Sequence, residues 1–380
     1  MTFKSFIAVQ LLEPTLFVEP VSDATLVIRG TININLPSTT IVKSISVQFD
    51  GKMAIKSYLS SSTNTGGFAQ KKSIAHRRIA LYPTTEQQTD THCPLVLNAG
   101  LTHYHFEMPM PSKLPETVDC SDVKVNYHVT AVMEYESNSL LRVGRSNAAK
   151  SCGKQEVRIV RLPHGNLLVG NNACELIDSG THTSAWLQYR VLVDKKSISL
   201  GSELPITFRM MPTRDKISVE GINVQILERR DVFGKSTHTN HTVEYLSPAA
   251  TNETKIPKAT LSEAWEGTIR YNIPAGKSLV HSTLANADFD IKHALLVSMV
   301  LSIPGGGLGG RTQKLVTFQS KIDLLDQAVG KLGSLKVPTY DCPPPFDDDS
   351  TFVYNEYDDK YNDPIAYCDI HDDEHNYNEH

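Results

Sequence analysis

The sequence predicts an all-β protein: two tandem β-sandwich domains followed by a disordered, acidic C-terminal tail. Three observations carry this. Short β-branched runs succeed one another with turn residues roughly every ten positions, the spacing of sandwiches rather than of alternating α/β units. No long segment shows the 3.6-residue period of an amphipathic helix. From Gly333 onward the apolar pattern stops, and proline, aspartate and asparagine take over.

Taken in order, Thr25–Arg29, Thr31–Leu36 and Ile45–Phe49 are strand-like, the last two alternating apolar with polar residues. Gly30 falls between two runs, where a bulge or bend is expected. Lys124–Met133 is a longer strand with Val125, Tyr127, Val129 and Ala131 on one face, and Gln155–Arg161 ends the first strand-rich region. The pattern restarts with Trp186–Val193, Leu204–Met210 and Ile217–Leu227, and closes with Asp290–Ile303 and Gln313–Phe318. The expected organisation is a first sandwich over 1–162, a connector over 163–183, a second sandwich over 184–330 and a tail over 331–380. Ser60–Gly67 is expected to be a flexible loop.

The 380 residues are 40% hydrophobic and 21% charged, an ordinary globular composition that excludes a mostly disordered or collagenous chain. The net charge of −5 is unevenly placed. Lys336–His380 holds two basic residues against 13 acidic ones, a net of −11, which leaves +6 for the first 335 residues. Six of the 14 tyrosines lie in that tail, with few aliphatic residues to offset chain entropy. The first residues lack the pattern of a signal peptide, and the most apolar stretch, Ala294–Ile303, is about half of a membrane span. A soluble, cytoplasmic protein is expected. The six cysteines show no CxxC spacing, so structural or incidental thiols are expected, and the sequons at Asn240 and Asn252 should go unused.

Catalytic and cofactor motifs fail on context. Gly305–Gly310 matches G-x-G-x-x-G after a strand, but the residues that follow read as strand, not as the helix a dinucleotide site requires; a glycine-rich hairpin turn is expected. An enzyme built on that loop is the weakest reading. His371 and His375 have metal-like spacing in the tail without a helix to fix them. His293, inside a strand, reads as a packed or hydrogen-bonded core histidine. No catalytic residue, cofactor or metal site is expected. Lys71, Lys72, Arg77 and Arg78 form a basic cluster: a solvated loop or short amphipathic turn, or a contact for anionic lipid head groups or an acidic or phosphorylated cargo tail. No nucleic-acid motif accompanies it.

Four segments carry a resemblance. Tyr104-His-Phe-Glu-Met-Pro-Met-Pro-Ser-Lys-Leu-Pro-Glu-Thr-Val118, followed by Val125–Ala131, resembles the aromatic strand, proline-rich turn and Tyr-x-Val-x-Ala strand of the arrestin N-terminal domain. Ser44–Gly51 is similar to its early Phe-x-Gly strand. Ile291-Lys-His-Ala-Leu-Leu-Val297 and Ile198–Phe208 resemble strands of the arrestin C-terminal domain. The resemblance covers roughly residues 4–325 and is nearest to the α-arrestins, including arrestin-related trafficking adaptors of fungi.

That resemblance implies two immunoglobulin-like sandwiches, no catalysis, and an adaptor that binds cytoplasmic segments of membrane transporters or receptors. It implies recruitment of a HECT-type ubiquitin ligase for endocytosis and trafficking, at the plasma membrane or endosomes. In the family, ligase WW domains grip a Pro-Pro-x-Tyr motif. Here three imperfect versions stand in the tail: Pro338 with Tyr340; Pro343, Pro344 and Phe346; and Pro364 with Tyr367. Prolines pre-form the polyproline II helix that such domains bind. Losing one tyrosine hydroxyl costs about 0.5–1.5 kcal/mol, and several weak motifs on one tail regain affinity through effective concentration. The missing perfect motif leaves a second reading open, a ligase-independent sorting or signalling scaffold.

Overall fold

The structure, a computed structural model, describes residues 6–20, 25–56, 68–84, 95–111, 113–136, 148–163, 176–233, 240–247, 261, 263–276, 279–305 and 310–332. Ten strands come first: β1 (Ile7–Leu11), β2 (Thr15–Val18), β3 (Leu26–Leu36), β4 (Thr40–Lys56), β5 (Phe68–Tyr82), β6 (Leu95–Leu97), β7 (Gly100–Met110), β8 (Val118–Asp119), β9 (Val123–Glu136) and β10 (Ala148–Arg161). They make a three-stranded sheet in the order β1-β3-β7 and a seven-stranded sheet in the order β2-β10-β9-β4-β5, with β6 on β4 and β8 on β9. All pairings are antiparallel except β2 with β10.

The other ten are β11 (Ile177–Asp178), β12 (His182–Thr183), β13 (Leu187–Val193), β14 (Ser197–Ser199), β15 (Glu203–Pro212), β16 (Ser218–Val232), β17 (His241–Leu246), β18 (Trp265–Asn272), β19 (Phe289–Pro304) and β20 (Arg311–Leu325). One five-stranded sheet runs β11-β13-β15-β18 with β12 on β13, and the other runs β14-β20-β19-β16-β17. A short helix, α1 (Gln327–Leu332), follows β20.

Period-2 patterning builds both cores. On β9 the expected face of Val125, Tyr127, Val129 and Ala131 is fully buried, and Ile28, Ile32 and Met108 reach it from the three-stranded sheet. Each alternate residue turned inward removes apolar surface from water, worth about 1.5–3 kcal/mol for a large aliphatic side chain. Tyr127 anchors this core. Its ring stacks on Phe49 at a centroid distance of 5.5 Å and lies across Gly51, where a Cβ would come within 2.6 Å of it. Its hydroxyl donates to the Pro115 carbonyl at 2.7 Å. The Phe-x-Gly, Tyr-x-Val and proline-turn segments are thus one packing unit. Leu187, Phe208, Val224 and Val297 centre the second core.

The structure departs from the sequence reading at several points. Gly30 makes neither bulge nor bend; β3 is continuous, and Gly30 pairs in register with Phe106 and Leu11. Glycine is needed there because a Cβ would meet the Gln10 carbonyl at 2.7 Å and the Phe106 ring at 2.8 Å. The basic segment 71–78 is neither loop nor turn but the middle of β5, held as strand by its ladder to β4. Within the expected connector, β11 and β12 are hydrogen-bonded to β13. Residues 331 and 332, assigned to the tail, close α1. Gly305 and Gly310 do close a hairpin, with the Gly305 amide donating to the Gly310 carbonyl at 2.7 Å between β19 and β20. The Ser60–Gly67 loop and the tail from residue 333 lie outside the described residues.

Candidate functional site: a buried ionic joint between the sandwiches

The motif segments of the two sandwiches converge. Leu114–Val118 enters β8 from the first sandwich, and Ile291–Val297 lies on β19 of the second. Around them, charged side chains from both bodies meet out of water.

Arg230 is the centre of one cluster. Along β16, residues Ile226, Glu228, Arg230 and Val232 occupy alternate inward positions, so the strand period that buries apolar groups also buries these two charges. The Arg230 guanidinium donates through Nε to Glu228 at 2.6 Å and through NH1 to Asp122 at 2.6 Å and Ser121 at 2.8 Å. Ser121 and Asp122 form the tight turn between β8 and β9, so this pairing spans the sandwiches. The Tyr245 ring lies 4.2 Å from the guanidinium carbon, and its hydroxyl donates to Asp122 at 2.9 Å. The side chains of Glu228 and Asp122 are 0% exposed and that of Arg230 4%. Charges this buried persist only when paired and hydrogen-bonded.

His293 closes the cluster behind Glu228. Its Nε2 stands 3.1 Å from the Glu228 carboxylate and its Nδ1 2.9 Å from the Ser282 hydroxyl. The Leu324 amide donates to that hydroxyl at 2.9 Å, so the hydroxyl proton is free to donate to Nδ1, and Nε2–H faces Glu228. With the imidazole neutral, this pattern places its proton on Nε2. Burial lowers the His293 pKa, against the raising influence of Glu228. Burial alone would raise Glu228; the His293 hydrogen bond, the Arg230 charge and the Val280 amide outweigh it and hold the carboxyl below its ordinary range.

A second cluster gathers at the end of β10. Arg161, buried, donates to Asp323 of β20 at 2.6 and 3.1 Å and lies 3.5 Å from Glu116. Glu116 accepts the Leu284 amide at 3.1 Å. Arg158 pairs with Asp326 at 2.6 Å. His281 places Nε2 2.9 Å from the Thr117 carbonyl and Nδ1 3.0 Å from the Ser282 carbonyl. Apolar contacts run beside these pairs, with Val280, Phe289 and Ile291 of the second sandwich packed into the core of the first.

The basic cluster is divided by strand geometry. Lys71 and Arg78 stand opposite Ala54 and Gln48, on the outer face of the seven-stranded sheet. Lys52 shares that face on β4, and Lys154 does so on β10 through the Gln48–Thr130–Lys154 row. Burial first, and then Lys154 and Lys52, lower the pKa of His128 on this face, against Asp50 and Glu156, which stand on the same face and raise it. Lys72 and Arg77 stand opposite the buried Met53 and Phe49, on the other face, and Lys72 reaches across to Asp288 of the second sandwich at 3.0 Å. The expected four-residue contact is therefore two pairs, and Lys72 belongs to the inter-sandwich contact. Cys120 is half-buried with its Sγ 3.3 Å from the Val123 carbonyl, and burial pushes its thiol pKa up. The tail residues Pro338, Tyr340, Pro343, Pro344, Phe346, Pro364 and Tyr367, like His371 and His375, lie outside the described residues.

Sequence reasoning found His293 and the segment around Glu116 but missed Asp122, Arg161, Glu228, Arg230, His281 and Asp323. A signal was present for Glu228 and Arg230, since both occupy apolar slots of a period-2 pattern. The strand expected over Ile217–Leu227 ends one residue before Glu228 and three before Arg230.

Comparison with known proteins places part of this body in sequence space. Residues 183–327 match the C-terminal domain of arrestin, or S-antigen. Arrestin domain-containing protein C31A2.12 of Schizosaccharomyces pombe is 25% identical over 295 residues, covering 73% of this chain and 45% of that protein. C2D10.04 of the same yeast, named as an arrestin-related trafficking adapter, is 28% identical over 141 residues, covering 37% of this chain and 20% of that protein. The creD protein of Aspergillus fumigatus, named as a HECT-type ubiquitin ligase-interacting protein, is 22% identical over 209 residues, covering 54% of this chain and 32% of that protein. Residues 183–327 thus match an arrestin domain, and the chain is similar to arrestin-domain proteins of fungi over as much as 73% of its length. It spans less than half the length of the relatives it matches.

Proposed function

We propose that this protein is a non-catalytic adaptor that binds cytoplasmic segments of membrane transporters or receptors and recruits a HECT-type ubiquitin ligase for ubiquitin-dependent endocytosis and trafficking. One observation carries the reading: an arrestin-related body is followed, in the same chain, by a tail with three proline–aromatic segments suited to WW domains. The names of C2D10.04 and creD support it. The body presents cargo-binding surface on a joint stiff enough to keep two sandwiches in one geometry. The tail supplies the ligase contact through Pro338 and Tyr340 first, then Pro343, Pro344 and Phe346, then Pro364 and Tyr367. On this reading the protein acts in the cytoplasm and is recruited peripherally to the plasma membrane or endosomes. The outer sheet face with Lys52, Lys71, Arg78 and Lys154 suits an anionic lipid surface.

Pull-down of the full chain by isolated WW domains tests the ligase half. Binding is expected, and it should drop at least ten-fold in a Pro338→Ala, Tyr340→Ala, Pro344→Ala, Phe346→Ala variant. Undiminished binding would remove these residues from the role. No binding by the unaltered chain, together with a stable complex with a receptor tail, would favour the ligase-independent scaffold, a reading to which the lack of a perfect Pro-Pro-x-Tyr points.

A further inference from the structure

We propose that the outer edge of β20 is a docking site for an extended, acidic peptide segment of a partner protein, taken up as an added strand. One edge of β20 is paired with β19 over Arg311–Ile322, while on the other edge β14 covers only Asp323–Leu325. There the Asp323 amide donates to the Lys196 carbonyl at 2.8 Å, and the Leu325 carbonyl accepts from Leu200 at 2.9 Å. Backbone groups alternate in direction along a strand. Arg311, Gln313, Leu315, Thr317, Gln319 and Lys321 therefore aim their amides and carbonyls outward along the same edge. Among the described residues no hydrogen bond reaches those groups.

The edge is also regular. The β19–β20 ladder runs twelve pairs without a register shift, whereas the edge strand β5 carries three. Bulges are a common device for spoiling an edge against added strands, and this edge has none. Leu315, 64% exposed, stands on its outer face, with Val316 and Phe318 half-buried beneath.

Charge selects the occupant. Residues 311–322 include Arg311, Lys314 and Lys321 and no acid. Arg311 is bonded to Ser302, Ser218 and the Lys216 carbonyl, and Lys314 lies 5.7 Å from the Trp186 ring centroid; neither meets a carboxylate. A second copy of the edge would bring three cations against three, which disfavours self-pairing, whereas carboxylates on an incoming strand are attracted. Main-chain bonds would then supply affinity and the cations selectivity, as in other strand-addition complexes. This inference rests on the backbone of β20 and not on the adaptor reading.

Fluorescence anisotropy of the full chain with a labelled nine-residue peptide of alternating glutamate and valine tests it. Controls are the lysine-for-glutamate peptide and a backbone N-methylated version. Thr317→Pro removes an outward amide but spares the ladder to β19, a position where an edge strand tolerates proline. Saturable binding of the glutamate peptide is expected, at least ten-fold weaker with Thr317→Pro, with the N-methylated peptide and with Lys314→Glu/Lys321→Glu. If Thr317→Pro does not fold, the N-methylated peptide and the charge variant decide. No binding of the glutamate peptide would overturn the proposal, as would equal binding of the lysine peptide. Self-association of the chain abolished by Thr317→Pro would instead assign the edge to a second copy.

Discussion

The inter-sandwich joint and the outer face of the seven-stranded sheet use the same residue types to opposite ends. In the joint, Arg230 and Arg161 are about 4% exposed and each is paired with carboxylates from both bodies. On the sheet face, Lys71 and Arg78 are exposed and no ion pair to them occurs among the described residues. A buried charge has already exchanged water for fixed partners, so its removal strands those partners. An exposed one keeps its water, contributes little to stability and remains available to a ligand. The joint therefore reads as architecture, whereas the sheet face keeps its cations in water.

That contrast can be broken in graded steps. Arg230→Met leaves the buried carboxylates of Asp122 and Glu228 without their shared cation and should cost about 3–5 kcal/mol, read from chemical denaturation. Tyr127→Phe deletes the bond to the Pro115 carbonyl while keeping the ring over Gly51, and should cost about 0.5–1.5 kcal/mol in the same assay. Lys72→Ala removes a half-exposed pair with Asp288 and should cost no more than about 1 kcal/mol. At the other extreme, Lys71→Glu/Arg78→Glu should leave stability within about 0.5 kcal/mol. The same variant should weaken binding to phosphatidylserine vesicles several-fold at low salt. A large stability loss in it, or unchanged vesicle binding, would erase the distinction between the two regions.

Acid sharpens the same comparison. The pKa of His293 is lowered in the native state, by burial first, so the unfolded chain takes up the proton earlier. Stability is complete above the ordinary histidine value of about 6.5 and is lost as pH falls below it. Glu228, also lowered, extends the loss further into acid. Denaturation midpoints at pH 7.5 and 5.5 check the sign: the midpoint should be lower at 5.5, and His293→Gln should flatten the difference.

How much of this was legible beforehand can be judged residue by residue. The inward face of β9 was read correctly because a half-buried strand must alternate. His293 was read as a core histidine because it interrupts an apolar strand. The basic segment was misread because its own residues are polar, and only the ladder to β4 makes it β5. Gly30 was misread because a glycine between strand runs signals a bulge, while the space it protects belongs to Gln10 and Phe106, distant in the chain.

Period-2 patterning, turn spacing and the charge break near Lys336 are local properties, and by themselves they determined the all-β class and the separation of body from acidic tail. Only the tertiary structure decided that Asp122 meets Arg230, that Arg161 meets Asp323, and that no described residue covers the edge of β20 over Arg311–Lys321. Those pairings join residues more than a hundred positions apart, and no local free energy in the chain specifies them. They exist because burying apolar faces on both sandwiches brings the charges together out of water, where each must find a partner.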